Sequence, residues 1–126
     1  MNEIFSAIYA RLTAQIATPV FDHVPQDNTT YPFVRINPIE TTNDDTDTNN
    51  GFSAQVTIIA FSRYRGLQEI NNIADSIYTA LHQWVMPNTA NFAVGNFIEG
   101  SRQIINDPDG ITRDSIQQYT FFYDPL

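Results

Sequence analysis

The chain is 126 residues long, a length for one domain, and its 42% hydrophobic and 13% aromatic content is enough apolar material to bury a core rather than stay disordered. Six arginines and no lysine stand against fourteen acids, giving a formal charge of −8 and a pI near 4.3, so the basic footprint needed to grip nucleic-acid phosphates or an anionic membrane is missing. The absence of cysteine excludes a disulfide scaffold, a thiolate zinc site, an iron–sulfur cluster and a cysteine nucleophile.

The opening Met1-Asn2-Glu3-Ile4 carries an acid where a secretory signal needs bases, and no stretch approaches the roughly 18 apolar residues of a membrane span. A soluble protein made in a cytoplasm is expected. Residues 2–17 read as a helix: Ile4, Ile8, Leu12 and Ile16 recur at i+4, and Pro19 stops the run. The proline-framed segment 19–25 is expected to be extended or turn-rich, and 26–30 a polar turn. Residues 31–39 read as a strand with Val34 and Ile36 on one face, its flanking prolines marking a sheet edge or irregular ends. Residues 40–51 form a polar acidic stretch holding Glu40, Asp44, Asp45 and Asp47, expected to be a functional or mobile loop.

Phe52 to Phe61 alternates as a strand, and its second half, Ile58-Ile59-Ala60-Phe61, is apolar enough to predict cover on both faces. A turn over 62–66 leads into a second helix predicted from Leu67 to Val85, with Ile70, Ile73, Ala74, Ile77, Leu81 and Trp84 as its stripe and Pro87 as its stop. Two strands, 97–106 and 111–123, flank Asp107-Pro108-Asp109-Gly110. There proline suits the first turn corner and glycine a positive φ, which predicts a β-hairpin. The order helix, strand, strand, helix, strand, strand predicts an α+β fold. Its sheet is mainly antiparallel, of about four strands, with two helices packed on one face.

Chemistry-bearing constellations are weak. His23 and His82 are the only histidines; Asp22 beside His23 points the other way on an extended segment, and no acid lies at i±3 or i±4 from His82. Tested as a calcium loop from Asp45, the acidic stretch places Asn50 where glycine is required and Val56 where glutamate is required. Asp107 and Asp109 are explained by turn formation, because short acids accept local backbone hydrogen bonds. The glycines are isolated and no nucleophile elbow occurs, so no enzyme activity, cofactor or metal is expected. Arg63 and Arg65 flank Tyr64 ahead of a helix N-terminus, where bases oppose the macrodipole. They are expected to pair with acids, either within the chain or on a neighbouring subunit.

Five strings occur in order: 19–25 with Asp22, His23 and Pro25; 31–34; 61–66 ending in Arg63, Tyr64, Arg65 and Gly66; 73–82; and 107–113 with Asp107, Asp109 and Gly110. Together the chain resembles the small tail-completion or tail-terminator proteins of long-tailed phages, prophages and gene transfer agents, from about residue 4 to residue 122. The resemblance implies a single α+β domain over 1–126 and no catalytic residue, cofactor or metal. The implied product is a homo-oligomeric ring, usually a hexamer, at the head-proximal end of a flexible tail tube in the virion, assembled in the host cytoplasm. Its partners would be the tail tube protein and a neck or head-completion protein; a neck or head–tail adaptor of similar fold is the alternative. A ring of heterologous contacts needs two complementary patches. Arg63, Tyr64, Arg65, Arg102 and Arg113 are candidates for one, and Glu40, Asp44, Asp45 and Asp47 for the other. An acidic lumen would let DNA pass without sequence-specific binding, and no membrane contact is expected.

Overall fold

A computed structural model describes residues 2–22, 30–43 and 52–126, with the backbone alone at Thr42 and Asn43. Helix α1 (Asn2–Gln15) buries Ile4, Ile8 and Leu12 completely, the i+4 spacing placing all three on one stripe. Helix α2 (Gln68–Leu81) buries Ile70, Ile73, Ala74, Ile77, Ala80 and Leu81.

Among the described residues seven strands follow in chain order: β1 (Val20–Phe21), β2 (Phe33–Ile36), β3 (Glu40–Asn43), β4 (Phe52–Ser62), β5 (Phe92–Val94), β6 (Ile98–Asn106) and β7 (Arg113–Pro125). The spine of the sheet is the antiparallel ladder of β4 on β7, in register from Phe52 opposite Tyr123 to Ser62 opposite Arg113. Each spine strand carries two shorter strands on its far side: β2 and β3 along β4, β6 and β5 along β7. β1 joins β2 in parallel. The α+β class therefore holds, while the expected four strands become seven, one pair of them parallel. The extra strands are two to four residues long, too short to show an alternation of their own.

The predicted strand 31–39 shortens to β2, and a separate strand, β3, follows it. Ile36 lies opposite Ile58 and Glu40 opposite Gln55, so four steps on one strand match three on β4. The extra residue falls around Pro38, which has no N–H to give the ladder. The first four residues of the predicted acidic loop are consequently strand β3; the remainder, with Asp44, Asp45 and Asp47, lies outside the described residues. Helix α2 stops at Leu81 rather than at Val85. His82 is extended, Gln83 adopts φ 61°, and the Gln83 N–H donates to the Phe97 carbonyl at 2.7 Å. Trp84 thus leaves the helical stripe and packs on Phe97 with ring centroids 5.3 Å apart, the Arg11 guanidinium over its ring.

Alternate residues of the spine, Ala54, Val56, Ile58 and Ala60 on β4 and Tyr119, Phe121 and Tyr123 on β7, join both helices in one core. Gln117, fully buried, donates from Nε2 to the Ala74 carbonyl at 3.0 Å and to the Tyr119 hydroxyl oxygen, tying α2 to β7. The opposite face of the sheet is less covered than predicted, because Ile59 and Phe61 are only half-buried. Phe61 instead stacks on Phe33 at 4.7 Å, under the Arg35 guanidinium.

Candidate functional site

The end of the spine where β4 stops and β7 starts gathers Arg63, Tyr64, Arg65, Gly66, Asp107, Asp109, Gly110 and Arg113 of the residues singled out from the sequence. The turn at 63–67 leaves β4 and the 107–112 hairpin enters β7, and the pairing of Ser62 with Arg113 sets them side by side. Gly110 has φ 74° and donates its N–H to the Asp107 carbonyl at 3.0 Å, as a turn of this kind requires. Gly66 has φ 80° in the neighbouring turn.

Asp109 organises the hairpin. Its carboxylate accepts from the N–H groups of Ile111 and Thr112, each at 2.8 Å, and from the Thr112 hydroxyl at 2.6 Å. The Thr112 hydroxyl bond first, then the two backbone bonds, hold its pKa down at about 2. Arg63 reaches across from the other turn: its Nε donates to the Thr112 hydroxyl oxygen at 3.1 Å, its guanidinium stands 3.9 Å from Asp109, and it covers the Tyr31 ring at 4.1 Å. Of the two readings open for Arg63, the intrachain pair is thus present. Arg113 donates to the carbonyls of Tyr64 (3.4 Å) and Ile111 (3.1 Å), pinning the two turns together. Among the described residues Arg65 and Arg113 make no ion pair with a carboxylate. Asp114, behind the hairpin, has its pKa raised by burial and by Asp107 and Asp109, with Arg35 opposing.

Arg102 stands apart from this tip. A bulge at Gly100 places Glu99 opposite Tyr119 and Arg102 opposite Gln117, so both side chains face the helices. On a regular strand, residues three apart would point to opposite faces. Arg102 pairs with Glu99 at 3.2 Å and with Asp75 of α2 at 2.8 Å. Burial disfavours its charge, but the bonds to Asp75 and Glu99 outweigh that and raise its pKa. Burial, followed by the Glu99 carboxylate, raises the pKa of Tyr119.

Glu40 is exposed on β3, remote from the tip along β4, and Asp22 is exposed at the end of β1. His23 and Pro25 lie outside the described residues. His82 is half-buried, accepts the Glu99 N–H on Nδ1 at 3.2 Å and stacks on Tyr78. Among the described residues no group of three or more His, Asp or Glu is placed to hold a metal ion, and no helix is long and apolar enough to cross a membrane. The sequence reading missed the exposed apolar side chains of the tip, Leu67 and Ile111 beside Tyr64. The available signal was an isoleucine directly after the turn glycine, where nothing local calls for an apolar residue.

The tail completion protein gp17 family model matches residues 6–124, nearly the whole chain. The chain belongs to that family. Its membership makes it a structural protein of bacteriophage tails, a virion component that assembles with other tail proteins. Among curated proteins none matches the chain. The tail-completion fold superposes on a chain of the solved virion of a native gene transfer agent (GTA) particle with a TM-score of 0.80. That match has 15% identity and covers 94% of this chain and 92% of the other, a likeness of fold.

Proposed function

We propose that copies of this chain close a ring, a hexamer, at the head-proximal end of the tail tube. There the ring ends tube polymerisation and offers the surface that joins the tail to the neck of the capsid. The observation that carries this reading is the family match over residues 6–124.

Two physical features support it. The tip is built rigidly from two turns cross-bonded by Arg63 and Arg113, yet it leaves Tyr64, Leu67 and Ile111 exposed, as a surface kept for a partner would. Each copy also adds eight negative charges to a ring, so a lumen built from such subunits repels DNA phosphates and the genome passes without sticking. No step makes or breaks a bond; the work is shape and association.

Purified chain added to polymerising tail tube protein tests the reading by tube length in electron micrographs. Short tubes, capped at one end, are expected. Unchanged tube lengths, with the chain binding the neck instead, would favour a head–tail adaptor and contradict the terminator role.

A further inference from the structure

The ring reading leaves open which surfaces of neighbouring copies meet. We infer that the apolar, arginine-rimmed tip of one copy docks into an acid-rimmed cleft between α1 and the end of β2 on the next. The inference rests on the ring reading and adds the pair of surfaces that would close it.

The tip exposes Tyr64 by 56%, Leu67 by 50% and Ile111 by 57%. Contiguous exposed apolar side chains with a polar rim mark interaction sites. Because Arg113 bonds the carbonyls of both Tyr64 and Ile111, the two turns are already tied together before they meet a partner, which lowers the ordering cost of docking. Arg63 is neutralised by Asp109, but the charges of Arg65 and Arg113 have no carboxylate partner among the described residues.

The cleft consists of two hollows, of about 450 Å³ and about 340 Å³, which share Phe5 and Asp22. Phe5, Tyr9, Pro38 and Ile39 supply apolar walls, and Tyr9 is 39% exposed. Asp22 stands at the rim, exposed and in no ion pair among the described residues, with the exposed Glu40 following Ile39 along the chain. Cleft and tip are therefore complementary twice over, apolar against apolar and acid against unpaired guanidinium.

The two surfaces lie at opposite ends of β2. Phe33, at its start, pairs with Phe61 beside the tip, whereas Ile36, at its end, lines the cleft. A tip must then look to another copy for its cleft. A contact between two different patches is head-to-tail, the kind that generates rings when its rotation closes. In such a ring each tip also finds its cleft at equal abundance, which favours a second copy over the tube protein as occupant.

Arg65→Glu and Asp22→Arg test the pairing by sedimentation velocity. Both positions are exposed, and circular dichroism confirms that each variant folds. Each alone puts like charges together and is expected to weaken self-association by about tenfold or more. An equal mixture restores opposite charges at every contact of an alternating ring, so association returns to within about threefold of wild type. Because the chain has no cysteine, Tyr64→Cys and Tyr9→Cys introduce unique thiols. Mixed under oxidising conditions they should form a heterodimer, and neither should cross-link to itself. Wild-type rings unaffected by either charge reversal would overturn the docking and leave the ring reading standing. A wild-type chain that does not self-associate, together with cysteine variants that do not cross-link, contradicts both, and cross-linking of the Tyr64→Cys variant to tube protein instead would overturn the second copy as occupant.

Discussion

Asp109 accepts three hydrogen bonds inside one turn, and its acidity records them. Its pKa falls from an ordinary 3.8 to about 2, so as the pH drops the unfolded chain takes up this proton before the folded one does. The stabilisation is complete above about pH 4 and is lost as the pH falls through about 2. Asp109→Asn should accordingly melt below wild type at pH 7, and the gap should close towards pH 2; a gap independent of pH would contradict the bonding described. Gly110 has φ 74° and open space where a Cβ would sit, so a side chain there meets backbone strain rather than a clash. Gly110→Val should cost about 1 kcal/mol or more, while Gly110→Asn, which tolerates left-handed geometry, should cost less; equal melting temperatures for the two would argue against the turn. This hairpin was legible in the sequence because its chemistry is local: proline, glycine and two short acids within four residues. The partners of Arg102 were not legible, since they depend on a bulge at Gly100 and on where α2 lands.

At the scale of elements, the long strands and both helices were legible through their periods. β4 alternates from Phe52 to Ile58, and α1 repeats at i+4. The short strands were not. β3 is Glu-Thr-Thr-Asn and β1 has two residues; neither carries a pattern, and both form because a neighbouring strand offers unpaired backbone groups. The end of α2 was misplaced for a related reason. Its apolar stripe extends to Trp84, but backbone bonds between 83–84 and Phe97 capture the chain first, and Gln83 accepts a left-handed conformation to allow it. Glycine favours that conformation. Gln83→Gly should therefore stabilise the protein by a few tenths to about 1 kcal/mol, seen as a melting temperature higher by up to about 4 °C. A lower melting temperature would show that the Gln83 side chain matters more than its backbone.

At the scale of the molecule, one core under two helices leaves the tip, the cleft and the outer face of the sheet as surfaces without cover among the described residues. The family was legible because five short strings fall in order along the chain; two of them meet in space at the tip, Arg63 to Gly66 from one and Asp107 to Arg113 from another. The two complementary patches were only half legible. The basic partner was read from arginines that turn out to be divided, with Arg102 tied to α2, and the apolar walls of the cleft come from three separate elements that no local pattern joins. The central claim is one of position, and it is tested most directly by gold-labelling this chain in assembled particles and locating the label by electron microscopy. The account predicts label confined to the end of the tail that meets the capsid. Label along the tube, at the distal tip or absent from the particle would contradict it.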